Sequence, residues 1–76
     1  MPEEMPKETR ELFLIFRDAV QRERDAQIVY KHAAELCEDK EIKGLLMGFY
    51  RDEVRHEREL LQQYNSLCKR YSVQAE

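Results

Sequence analysis

Glu53 and His56 fall in the stretch FYRDEVRHERELL, residues 49–61. On a helix, a spacing of three puts a carboxylate and an imidazole one turn apart on a single face. Hard oxygen and borderline nitrogen donors in that arrangement suit a divalent ion such as iron, manganese or zinc. Glu-x-x-His alone says little, because two exposed residues of a charged helix produce it readily. Its setting says more. Phe49 and Leu60 are neighbouring members of one apolar stripe, and Glu53 and His56 interrupt that stripe. A third interruption, Glu23, stands between Val20 and Ala26 in another stripe. Tyr30 follows Glu23 by seven residues on the same helical face and is a candidate to hydrogen-bond a metal ligand.

Other reactive side chains read more plainly. His32 lies two residues past Tyr30, off the stripe, and reads as a surface residue. Glu57 reads as an exposed neighbour of Glu53, with a cation-guiding entry carboxylate as the alternative, and Arg51, Arg55 and Arg58 read as solvated charge. Cys37 and Cys68 lack any CxxC partner and read as small reduced hydrophobes.

The elements that must position these residues are helices. Charged residues make up 38% of the 76-residue chain, Gly and Pro number two each, and apart from Gly44 and Gly48 nothing between Lys7 and Tyr71 interrupts a helix except the segment CEDKEIK. The spacing predicts a first helix over about residues 7–37 and a second over about 40–71, with Asp39 as N-cap of the second. Residues 1–6 read as a flexible leading segment and 72–76 as a tail. The first stripe runs Leu12, Phe13, Phe16, Val20, Ala26, Tyr30, Ala33, Ala34, Cys37. The second runs Ile42, Leu45, Leu46, Phe49, Leu60, Leu61, Tyr64, Leu67, Cys68, Tyr71. Steps of three and four are the helical period.

A short connection forces the two helices into an antiparallel hairpin. With Cys37 beside Ile42, levels match where residue numbers add to about 79. Glu23 then faces His56, with Glu53 one turn away. A two-helix hairpin cannot enclose a core, and Cys37 and Cys68 fall at opposite ends, too far apart for a disulfide. The fold expected is therefore all-α: a hairpin that pairs with a second copy into a four-helix bundle. Pairing doubles the polar layer to four carboxylates and two histidines. Two divalent ions would balance the four negative charges, which are otherwise costly to bury.

Glu23 with Ala26, Tyr30 and Ala34, the turn EDKEIKGLL, and EVRH at residues 53–56 together resemble the rubrerythrin branch of the ferritin-like di-iron proteins. The thirty-residue interval from Glu23 to Glu53 is similar as well, and the likeness covers about residues 11–64. That family's two-Glu, two-Glu-x-x-His bundle is itself a standard example of a bundle metal site. Only half of a family domain is present, so the chain looks like the two-helix encapsulated ferritins, whose di-metal site forms between chains. The resemblance implies Glu23, Glu53 and His56 as ligands of two iron ions per dimer, and a ferroxidase or peroxide-reducing activity. It also implies dioxygen or peroxide as oxidant, with Tyr30 near the ligands. Rubredoxin-type cysteine pairs are absent, so an electron donor would be a separate molecule.

Composition excludes other classes. Thirteen basic against 16 acidic residues give a net charge of −3, with no basic stripe of the kind that phosphate binding requires, so nucleic acid is not an expected partner. No apolar run is long enough to span a membrane, and MPEEMPKETRE has no secretory core, so a cytoplasmic location is expected. Two non-catalytic functions fit the same pattern. One is a helical dimerisation or adaptor module whose Glu and His form a register-fixing polar layer; the other is an iron carrier.

Overall fold

The computed structural model describes residues 5–73. Two helices account for nearly all of them: α1, Lys7–Leu36, and α2, Lys40–Arg70. Both bounds fall within about one residue of those the periodicity predicts. The expected leading segment 1–6 and tail 72–76 lie partly outside the described residues. Met5, within the first, packs against the core.

Each helix end has a physical cause. At the head of α1 the Pro6 carbonyl accepts hydrogen bonds from the Thr9 and Arg10 amides, each 3.1 Å long. Pro has no N–H and its φ is fixed, so it can stand at a helix start without leaving a donor unpaired. At the head of α2 the Asp39 carboxylate accepts from the Glu41 and Ile42 amides at 2.9 and 3.0 Å. It is the N-cap that the sequence predicts, and Glu41 in the first turn and Lys69 and Arg70 in the last complement the helix dipole. Beyond α2, Ser72 adopts a left-handed φ of 55°. The Val73 amide then donates to the Cys68 carbonyl at 2.8 Å and the Ser72 amide to the Lys69 carbonyl, the paired bonds of a Schellman stop.

Three residues, 37–39, connect the helices, which run antiparallel as a rod of 56 × 16 × 16 Å. The register is the expected one. Residue numbers add to 79 for the Glu23–His56 pair and for Tyr30 against Phe49, and to 77 for Phe13 against Tyr64.

Burial concentrates at the open end of the hairpin. Phe13 meets Tyr64 edge to face with ring centroids 5.5 Å apart, Cys68 completes the cluster, and Phe16, Leu67 and Tyr71 pack around it. Among the described residues only Phe13, Val20, Ala34, Tyr64 and Cys68 are buried hydrophobics. Both cysteines are free, Cys37 half-buried at the turn and Cys68 in this cluster. Ile15, Ile28, Val29, Leu36, Ile42 and Leu45 are each more than half exposed. Full burial of such a side chain stabilises by about 1.5–3 kcal/mol, so a lone hairpin forgoes most of its hydrophobic stabilisation. The exposed apolar surface is consistent with oligomerisation. Among the described residues no helix is long and apolar enough to cross a membrane.

Candidate metal centre

Midway along the rod, the seam between the helices changes from apolar to polar. Glu23 projects from α1, and Glu53 and His56 from the facing turn of α2. One ligand atom from each lies within 4.8 Å of the others. His56 Nδ1 is 3.6 Å from Glu23 Oε2 and 3.7 Å from Glu53 Oε1. Helical geometry explains the grouping: the spacing of three puts Glu53 and His56 on one face, and the antiparallel register brings Glu23 opposite.

An N–H···O hydrogen bond spans about 2.7–3.2 Å, so the 3.6 and 3.7 Å separations are longer than hydrogen bonds. Two donors held about 2.1 Å from one ion sit about 3.0 Å apart at right angles and about 3.4 Å apart in a tetrahedron, so the grouping is also slightly wider than a closed metal site. Shifts of a few tenths of an ångström bring the two His56 pairs to either kind of contact. Glu23 Oε2 is also buried and has no hydrogen-bond partner. An acceptor in that state carries an unpaid desolvation cost of about 1–3 kcal/mol or more. A cation beside it would remove that cost, and the oxygen, oxygen, imidazole donor set matches iron, manganese or zinc.

The centre is not sealed. The side chains of Glu23 and Glu53 are 22% and 20% exposed and that of His56 is 41% exposed. They open onto a shallow depression of about 290 Å³, lined also by Glu59, Leu60 and Gln63.

No protein-family model, curated protein or solved structure matches the chain.

Tyr30 lies one layer nearer the turn. Its ring packs on Phe49 at 5.5 Å with a 51° tilt. Among the described residues its hydroxyl makes no hydrogen bond to Glu23, Glu53 or His56. His32 is exposed, in line with its position off the stripe.

Glu57 differs from its sequence reading as an exposed neighbour. Its side chain is 22% exposed and is held from α1. Gln27 Nε2 donates to Glu57 Oε1 at 2.6 Å, and Arg24 Nε donates to Glu57 Oε2 at 3.1 Å. The Gln27 hydrogen bond does most to lower the Glu57 pKa below its usual value; the Arg24 hydrogen bond and charge act in the same direction, and partial burial opposes them. Gln27 Nε2 also lies 3.5 Å from the Glu53 carbonyl oxygen. Its seam position was visible, four residues after Glu23 and three before Tyr30. A polar residue among charged neighbours nevertheless looks the same whether it bonds water or a facing helix.

Proposed function

We propose that this chain is a ferritin-like di-iron protein in which Glu23, Glu53 and His56 hold iron at the interface of two hairpins. The observation that carries the reading is the buried, unpartnered Glu23 Oε2, set 3.6 Å from His56 Nδ1. A cation beside a buried carboxylate oxygen that accepts no hydrogen bond would offset its desolvation. The competing role is a polar layer that fixes helix register, in which Glu23, Glu53 and His56 bond to one another; a chelator that leaves the stability of the protein unchanged would favour it.

The resemblance in sequence to rubrerythrins and encapsulated ferritins supports the same assignment. Two hairpins related by a two-fold axis would bring together four carboxylates and two imidazoles, whose four negative charges two divalent ions balance. The open side of His56 and the depression beside it leave room for the second set of ligands. Exposed Leu45 and Phe49 would gain burial in that pairing.

Within such a site each residue has a distinct part. Glu53 and His56 would hold an ion from one helical turn, and Glu23 would supply a carboxylate from the opposite helix. Tyr30 forms an aromatic wall with Phe49. A pair of ferrous ions supplies two electrons when bound, the number that reduces dioxygen to peroxide or peroxide to water. The reaction expected is therefore oxidation of ferrous iron by dioxygen or peroxide, with any recycling electrons drawn from a separate donor.

Mixing the protein anaerobically with ferrous iron and then admitting oxygen tests the proposal. Oxygen uptake should accompany a ferric absorbance that develops faster than in buffer. Glu53→Ala/His56→Ala should return the rate to that of buffer. A double variant as active as the parent would sink the assignment. Iron that binds without oxygen uptake would point to a carrier instead.

A further inference from the structure

One amide on α1 reaches both ends of the α2 turn that carries two of the three ligands. Gln27 Nε2 bonds the Glu57 carboxylate at 2.6 Å and approaches the Glu53 carbonyl at 3.5 Å. Glu53 and Glu57 bracket His56. On α1, Gln27 follows Glu23 by one turn, so the same two facing turns hold all three ligands and this contact. Arg24 occupies the other Glu57 oxygen at 3.1 Å. The carboxylate one turn beyond Glu53 is thus committed to the helix seam.

We propose that Gln27, anchored on Glu57, is a positioning residue that sets the depth and rotation of the ligand-bearing turn of α2 against Glu23, and so sets the affinity of the metal centre. The inference rests on the metal-binding reading above. Its physical basis is the narrow tolerance of a ligand set, about 0.5 Å or 10–20°. A helix held only by apolar side chains can slide or roll by that much within its groove. A donor fixed to a charged acceptor resists both motions, because charge-assisted hydrogen bonds are short and directional. Among the described residues Gln27 makes no hydrogen bond to Glu23 or His56, and its two polar contacts both go to the α2 turn.

Titration of the full chain with cobalt(II) tests this, with affinity and the visible cobalt absorption as readouts. Gln27→Met keeps the length and helix propensity of the side chain and removes the donors. It should weaken cobalt binding about tenfold or more and alter the cobalt spectrum, with helicity and association state unchanged. Glu57→Met should do the same, and the double variant should be no weaker than either single one, as expected of two residues acting as one unit. A Gln27→Met chain that matches the parent in affinity and spectrum overturns the inference and leaves the metal reading standing. Losses that simply add in the double variant overturn it too. A parent that takes up no cobalt overturns the metal reading and the inference together.

Discussion

At the scale of single residues, Glu57 gives the clearest pH dependence. Hydrogen bonding by Gln27, reinforced by Arg24, holds its pKa below the usual 4.5, while burial pulls the other way. A carboxyl whose pKa is depressed by folding stabilises the fold above its unfolded value, and that stabilisation fades as pH falls through the folded value. Glu57→Gln should therefore lower stability near neutrality, with the deficit shrinking as pH falls below the ordinary carboxylate value and through the lowered value of the folded state. Denaturant titrations of parent and variant across that range check this; a deficit independent of pH would contradict it. The three candidate ligands and Gln27 differ in how far the sequence reveals them. Glu23, Glu53 and His56 were legible because each interrupts an apolar stripe, and a polar residue in a core position needs a reason. Gln27 and Glu57 were not, because a polar side chain beside a seam reads the same whether it bonds water or the facing helix.

At the scale of elements, the hairpin follows from a few local signals. Asp39 caps α2 through the Glu41 and Ile42 amides, and the three-residue connection leaves the chain no option but to return alongside itself. Those two facts fix the register, and the register delivers Glu23 to His56 without further information. Asp39→Ala should cost about 1 kcal/mol of stability, the usual value of an N-cap side chain. Denaturant unfolding followed by circular dichroism measures this, and an unchanged midpoint would show that the cap contributes nothing. The sequence could not reveal how unevenly the stripes would be used. Phe13 and Tyr64 are buried, whereas Ile42 and Leu45, members of the same stripes, are mostly exposed. A helix stripe about 100° wide is broader than the surface one neighbouring helix can cover. The remainder waits for another surface.

At the scale of the molecule, that exposed remainder is consistent with oligomerisation. A 16 Å-wide rod with five buried hydrophobics among its described residues resembles half of a bundle. Leu45 is 57% exposed in the hairpin, so replacing it should leave the lone hairpin's own contacts largely intact. On the proposed pairing, Leu45→Lys should place a charge between the two hairpins and shift the protein towards single hairpins, read by analytical ultracentrifugation. Iron retention should fall with it. Association at the parent's level would show that this face is not the one that pairs.

The claim that a shared metal centre joins two hairpins is tested most directly by anomalous diffraction. Crystals would be grown with ferrous iron and without chelator, and data collected on either side of the iron edge. The prediction is an anomalous peak within coordination distance of Glu23, Glu53 and His56, accompanied by a symmetry-related peak on the partner hairpin. Iron elsewhere, or a polar layer in which the three side chains bond only to one another and to water, would contradict it.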